Sequence, residues 1–190
     1  MKRPSKDAVY ERIVQAVTDT VAAQGIGATS MAAVARTAKV SAGTLYLHFA
    51  SKEEMLQAVY LKLKLAFHAN LMAAATGEPR QAISGMWRAL LRFQQDQPNG
   101  FLFLEYAGAA QVLAPEQKAE VAPLQGEVNA VIQRAIDAGV ITVPSLAVAA
   151  TLLIGPAMQL ARTHAIAGTQ IPEAQATETF DRIWRSLTAP

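Results

Sequence analysis

The sequence predicts an all-α protein of about nine helices, and three observations carry that expectation. Apolar residues recur at helical rather than strand spacing in nearly every segment. Gly and Pro fall mostly between those segments, and the later half of the chain turns alanine-rich. No internal repeat and no long linker interrupts the pattern.

The first helix runs from about Lys6 to Ala23, with Tyr10, Ile13, Val14, Val17 and Val21 on one face and Gly25 just past its end as a stop. Three short segments follow. A longer helix begins near Ser51 and continues to about Ala75, where Thr76-Gly77-Glu78-Pro79 breaks it. The next carries Ile83, Met86, Trp87, Leu90 and Leu91 and ends before Pro98-Asn99-Gly100. Beyond Phe101, one helix holds Phe103, Leu104 and Tyr106, and another holds Leu124, Val128, Val131, Ile132 and Ile136 before Gly139, with Pro123 leaving their division open. Pro144 and Pro172 open the last two, as first-turn prolines do. Gly155-Pro156 is expected to kink or shift the first of that pair.

A chain of 190 residues can bury a sizeable core, as one domain or as a small domain joined to a larger one. Hydrophobic residues make up 52% and charged ones 17%, yet no uninterrupted apolar run approaches the roughly 20 residues that span a bilayer, so no membrane partner is expected. Met1-Lys2-Arg3-Pro4-Ser5-Lys6 is basic but is not followed at once by an apolar stretch, which argues against a secretory signal. The absence of cysteine excludes disulfides, thiolate metal sites and cysteine nucleophiles, and fits a cytoplasmic protein. Of the 17 basic and 15 acidic residues, nine and five fall within Met1–Lys64, so that third carries +4 and the remainder −2. A basic excess there suits contact with phosphate, though an ordinary solvated surface has the same composition.

Within Thr29–Phe49 two short helices meet at a tight turn. Ser30 caps the first, and Met31, Val34, Ala35 and Ala38 stand at i, i+3, i+4 and i+7, a single stripe for packing. After Lys39-Val40, Ser41 caps a second helix in which Leu45 and Phe49 face inward. Its outward residues are Ala42, Gly43, Thr44, Tyr46 and His48. A helix with small residues at its start can sink deeply into a DNA major groove, and Gly43 permits the closest approach. Thr44 can bond a base edge or phosphate and touch a thymine methyl, whereas Tyr46 and His48 offer donors suited to phosphate. Ser51-Lys52-Glu53-Glu54 has the spacing of a capping box, which starts the next helix sharply and leaves Lys52 beside the DNA-facing edge as a phosphate clamp.

The run Ser41-Ala42-Gly43-Thr44-Leu45-Tyr46-Leu47-His48-Phe49-Ala50-Ser51-Lys52-Glu53-Glu54-Met55-Leu56 resembles the "VSxGTLYxHFxSKExLL" segment of tetracycline-repressor (TetR) family regulators, and Gly25 through Val59 looks like their DNA-binding domain. The resemblance implies a three-helix helix-turn-helix domain over residues 1–50, a connecting helix over 51–75 and a helical ligand-binding and dimerisation domain over 76–190. It also implies a homodimer on palindromic double-stranded operator DNA, repressing until a small, mostly apolar effector releases it. The DNA-binding residues expected are Thr29, Ser30, Lys39, Ser41, Ala42, Gly43, Thr44, Tyr46, His48 and Lys52. Lys39 departs from the glycine usual at the turn. If the left-handed conformation is kept there, the Cβ costs on the order of 1 kcal/mol, and the ammonium either adds a phosphate contact or is a tolerated substitution.

Two reading heads on one operator need recognition helices about 34 Å apart, held by a rigid dimer. The last two helices are the candidates, through Ala147, Thr151 and Ile154 on one and Phe180, Ile183, Trp184 and Leu187 on the other. The alternative is that these faces complete each subunit's own core. For the effector, aromatics and methionines concentrate at Phe67, Met86, Trp87, Phe103, Tyr106 and Met158, with His68, Gln111 and Gln159 on the same segments as polar groups to orient it. Individually each of the apolar ones is more often plain core than pocket wall, and it is the polar groups on the same helices that favour a site.

An enzyme is not expected. His48, His68 and His164 lie far apart without i+3 or i+4 partners, no G-x-S-x-G elbow, Walker loop or dinucleotide fingerprint is present, and a capping box accounts for Glu53-Glu54. No catalytic residue, metal or cofactor is therefore assigned. The remaining rival is a helical partner- or ligand-binding protein without DNA binding, which Lys39 allows and the intact recognition segment opposes.

Overall fold

The computed structural model describes residues 5–189; the basic Lys2 and Arg3 of the N-terminal reading lie outside them. Among the described residues there are nine helices and no strand. They are α1 (Lys6–Ala28), α2 (Met31–Ala38), α3 (Ala42–Tyr46), α4 (Lys52–Ala74), α5 (Pro79–Asp96), α6 (Pro98–Ala109), α7 (Pro115–Asp137), α8 (Leu146–Ala167) and α9 (Glu173–Thr188). The chain forms two compact units, one comprising the chain up to Lys64 with Asn99–Lys118, the other Leu65–Pro98 with the chain from Ala119 onward. The helix α4 contributes its first half to one unit and its second half to the other.

The first unit is organised around the apolar stripe of α1. Ile13, Val17 and Val21 are fully buried and pack with Val34 of α2, Leu45 of α3, Met55 and Val59 of α4 and Phe103 of α6. Each such side chain contributes about 1.5–3 kcal/mol by leaving water. Gly25 breaks α1 where the sequence places a stop, at φ 76° and ψ 167°, but a further helical turn follows to Ala28. Buried hydroxyls near the same stripe are satisfied locally, Thr20 Oγ1 donating to the Ala16 carbonyl at 2.6 Å and Thr18 Oγ1 to that of Gln15 at 2.8 Å. Asn99 Nδ2 donates to Asp19 Oδ1 at 2.8 Å, and Gln57 Nε2 to the Val112 carbonyl at 3.1 Å, tying α6 and the loop after it to α1 and α4.

In the second unit α5 packs against α8 and α8 against α9. Pro79 stands at the first position of α5, and Gln81 Oε1 accepts from the Glu78 backbone at 3.2 Å, so the Thr76–Pro79 break is also a helix start. Gly85 lets α5 approach the end of α4 closely, since a Cβ there would lie 2.0 Å from the Ala74 carbonyl oxygen. Pro123 and Pro156 both lie inside continuous helices, so neither ends the element it interrupts. Ser145 and Pro172, rather than Pro144 and a first-turn proline, hold the N-cap positions of α8 and α9. The C-terminus is fastened by Thr142, whose backbone donates to the Leu187 carbonyl at 2.8 Å and whose hydroxyl donates to that of Ala189 at 2.7 Å.

Candidate nucleic-acid interface

Three serines set the geometry of the turn segment. Ser30 Oγ accepts from the Ala33 amide at 3.2 Å and starts α2; Ser41 Oγ accepts from the Thr44 amide at 3.0 Å and starts α3; Ser51 Oγ accepts from the Glu54 amide at 3.1 Å and starts α4. Glu54 Oε2 accepts from the Ala50 amide at 2.8 Å, one residue earlier than the N-cap amide that a standard capping box reaches. Between α2 and α3, Lys39 adopts φ 52° and ψ 47°, the left-handed conformation, and its amide closes α2 on the Ala35 and Arg36 carbonyls. The turn usually made by glycine is therefore kept with a lysine in it.

Leu45 is fully buried and Phe49 is 3% exposed, which anchors α3 and directs its opposite side outward. Ser41, Ala42, Gly43, Tyr46 and Leu47 are exposed, and Thr44 is half-buried with its hydroxyl 2.8 Å from Ser41 Oγ. Successive helical residues are about 100° apart, so Leu47 stands about 200° from Leu45, on the side shared with Gly43 and Thr44. Its side chain is 86% exposed. Sequence reading misses it, although the i+2 relation to Leu45 is visible in the chain. His48 is half-buried at the flank, its ring 5.9 Å from that of Tyr10 and 6.2 Å from that of Phe49. Lys52 Nζ donates to the Gly27 carbonyl at 3.1 Å, binding the end of α1 to the start of α4 while two of its three donors stay uncommitted. Ser30 and Lys39 are exposed. Thr29 is 2% exposed, its hydroxyl donating to the Gly25 carbonyl at 2.8 Å, so its donor holds the kink of α1 instead of facing outward.

The residues expected to form an effector site divide between the units. Phe103 is fully buried in the first unit's core with Tyr106 against it, and Gln111 is an exposed left-handed residue, φ 51°, in the loop after α6. Phe67, His68, Met86, Trp87, Met158 and Gln159 belong to the second. There Phe67 meets Phe93 at 4.9 Å, His68 Nε2 lies 2.8 Å from Glu127 Oε2, and Trp87 meets Phe180 edge-on at 5.5 Å. Met86 is buried, Met158 half-buried, and Gln159 exposed with its amide toward Thr163 at 3.4 Å. Among the described residues two buried polar side-chain atoms lack a partner, Trp87 Nε1 and Gln94 Oε1. They sit seven residues apart on one face of α5. Gln94, 2% exposed, is absent from the sequence-based set although it continues the Trp87, Leu90 and Leu91 face.

A groove of about 510 Å³ opens between α5 and α9, walled by Arg80, Arg88, Arg92, Trp87, Phe180 and Glu173 among others, and Arg80 closes part of it on Asp181 at 3.0 Å. Of the residues expected at a dimer interface, Phe180, Trp184 and Leu187 are buried within the one chain, at 6%, 7% and 0% exposure, and so complete its own core; Ile183 and Ile154 are half-buried. Ala147 and Thr151 are exposed, beside the uncovered Val148 and Leu152. By length and composition α8 is the one helix among the described residues apolar enough to cross a membrane, and most of it is unburied within the chain. Counting uninterrupted runs overlooks it because Thr151, Gln159 and Arg162 break every run without changing its apolar average. Burial alone raises the Tyr60 phenol above its ordinary pKa and lowers the Lys64 ammonium, both on α4. No group of three or more His, Asp or Glu residues among the described ones is placed to hold a metal ion.

Residues 13–59 match the family described as "Bacterial regulatory proteins, tetR family". A curated relative, an uncharacterized HTH-type transcriptional regulator of Haemophilus influenzae, is 31% identical over 98 residues, which cover 50% of this chain and 52% of that protein. The chain thus matches about half the length of that relative. A TetR family transcription regulator from Marinobacter aquaeolei superposes with a TM-score of 0.82 at 19% identity, over 95% of this chain and 96% of the other. A regulatory protein of the tetR family from Rhodococcus superposes at 0.81 with 22% identity, over 98% and 100%. The segment matched to the tetR family model lies on the serine-capped helices and the turn at Lys39, and the chain shares its fold along nearly its whole length with solved TetR family regulators.

Proposed function

We propose that the protein is a transcriptional regulator that binds palindromic operator DNA as a homodimer and acts as a repressor released by a small, mostly apolar effector. The observation that carries the reading is the outward side of α3, where Gly43, Tyr46 and Leu47 are exposed on a helix fixed behind by Leu45 and Phe49. A short rigid helix with small residues at its start fits the major groove, and Thr44, Tyr46 and His48 flank that approach with groups suited to bases and phosphates. Lys52 retains donors for phosphate while holding the end of α1. The dimer is supported by the exposed Ala147, Val148, Thr151 and Leu152 on α8, an apolar strip that a second copy would cover.

Effector binding is supported by α5. A buried donor and a buried acceptor without partners cost on the order of 1–3 kcal/mol each, which a ligand supplying the complementary groups recovers. Because α4 belongs to both units, it is the covalent element through which such binding biases the spacing of two recognition helices. Reciprocity then requires operator DNA to weaken effector binding by the same factor. The test is selection of bound duplexes from a random library by the purified protein and by a Thr44→Ala, Tyr46→Ala double variant. A palindrome with halves about one helical turn apart, enriched by the first and not the second, is the expected result. Absence of enrichment at low salt, with and without candidate effectors, sinks the reading.

A further inference from the structure

We infer that Leu47 is a specificity-determining residue of the operator contact and that it reads the 5-methyl group of a thymine in each half-site, an inference resting on the regulator reading above. Leu47 follows Gly43 by four residues and Thr44 by three, so the three share one side of the recognition helix. Its amide donates to the Gly43 carbonyl at 3.1 Å, so helical geometry continues through it and fixes where its side chain projects. Buried Leu45 lies on the far side. At 86% exposure Leu47 is the most uncovered large apolar side chain among the described residues, whereas Tyr46 beside it is 56% exposed. An isobutyl group has no hydrogen bond to give. Held at the centre of a groove-facing surface, it can discriminate base pairs only by apolar contact.

The major-groove edge of a base pair offers one methyl group, that of thymine, while guanine, cytosine and adenine present chiefly hydrogen-bonding groups there. Against G·C, a leucine in this place removes water from O6 and N7 or from the cytosine amine and returns nothing, which is itself a penalty. The side chain therefore selects for T·A in two ways, by attraction to the methyl and by desolvation of the alternatives. Because Gly43 has no side chain one turn earlier, it leaves the approach of Leu47 to the base edge unobstructed.

Replacing thymine by deoxyuridine removes the methyl and leaves every hydrogen-bonding group, so it isolates the contact. With the operator obtained by duplex selection, each T is replaced in turn by dU and binding is measured for the unaltered protein and for Leu47→Ala, whose folding is checked by helical circular dichroism. One thymine per half-site is expected to account for a loss of about fourfold in affinity on dU substitution, the value of one buried methyl. Leu47→Ala is expected to lose that sensitivity and, in a fresh selection, the preference for T at that position. If the variant keeps the same dU sensitivity and selects the same base there, the assignment is overturned while the regulator reading stands. It is equally overturned if Leu47→Ala weakens all duplexes uniformly, as a sugar or phosphate contact would. Failure of the unaltered protein to select any sequence removes both readings together.

Discussion

In the first unit, helix starts are satisfied by neighbours in sequence: Ser5 for Ala8, Ser30 for Ala33, Ser41 for Thr44, Ser51 for Glu54. In the second unit, α5 buries Trp87 Nε1 and Gln94 Oε1 with no partner on the same face, and α8 leaves Val148 and Leu152 uncovered. The contrast fits the division of labour proposed above. A surface that reads a fixed groove gains from being finished before it arrives, because ordering it on binding would subtract from affinity. A ligand-gated region gains from the reverse, since only interactions left unmade in the resting protein can shift an equilibrium when a ligand makes them.

The largest effect expected on this contrast comes from Gly85. A methyl group there would stand 2.0 Å from the Ala74 carbonyl oxygen, a backbone atom that no rotamer change can move aside. Gly85→Ala is expected to lower stability by up to about 3 kcal/mol through overpacking, with α4 displaced from α5, and urea unfolding measures it. An unchanged midpoint would mean that the second unit is loose enough to absorb the methyl, and the contrast would then be one of rigidity rather than of polar satisfaction.

A smaller and more discriminating effect belongs to Gln94. Replacing it with Leu removes the unpaired acceptor while roughly keeping the volume, so the resting protein should gain about 1–2 kcal/mol, unlike most substitutions of a buried residue. Any effector that stabilises the unaltered protein in a thermal shift should stabilise the variant less. A lower melting temperature for Gln94→Leu without effector would show that the amide is bonded in solution, and the two units would no longer differ in this respect.

The helices were legible because their punctuation is local. Serine caps, Gly25 and the Pro79 start each act within four residues, the range over which sequence spacing and spatial contact coincide. Pro123 and Pro156 were harder to read, since a proline inside a helix and a proline ending one look alike until the remaining backbone bonds are seen. Assignment to a unit was not legible at all. Phe103 and Tyr106 look like their aromatic neighbours in composition, but the chain carries α6 back to the first unit, where Phe103 fills the core behind α3. Phe180, Trp184 and Leu187 illustrate the same limit: an apolar helical stripe states that something must cover it, not whether the cover is the same chain. Around the interface, Leu47 was the readable omission, because its position opposite Leu45 needs only the helical period, while the burial of Thr29 depends on the kink at Gly25 that sequence places but does not shape.

Lys39 carries the smallest effect and is a residue of the turn segment at which the first unit departs from being finished. At φ 52° its Cβ is strained, and Lys39→Gly is expected to raise stability by about 1 kcal/mol, read as a higher urea midpoint with an unchanged slope. The same variant decides whether the strain is offset by a function. Lys39 is exposed at the turn leading into α3, so an ammonium there that meets a phosphate releases counterions. Operator affinity of Lys39→Gly should then fall less steeply with salt, by about one unit of log–log slope for each subunit. A more stable variant with unaltered salt dependence would make the lysine a tolerated substitution. A more stable variant with a shallower slope would make it a phosphate contact held in a strained turn, an exchange of folding free energy for DNA affinity.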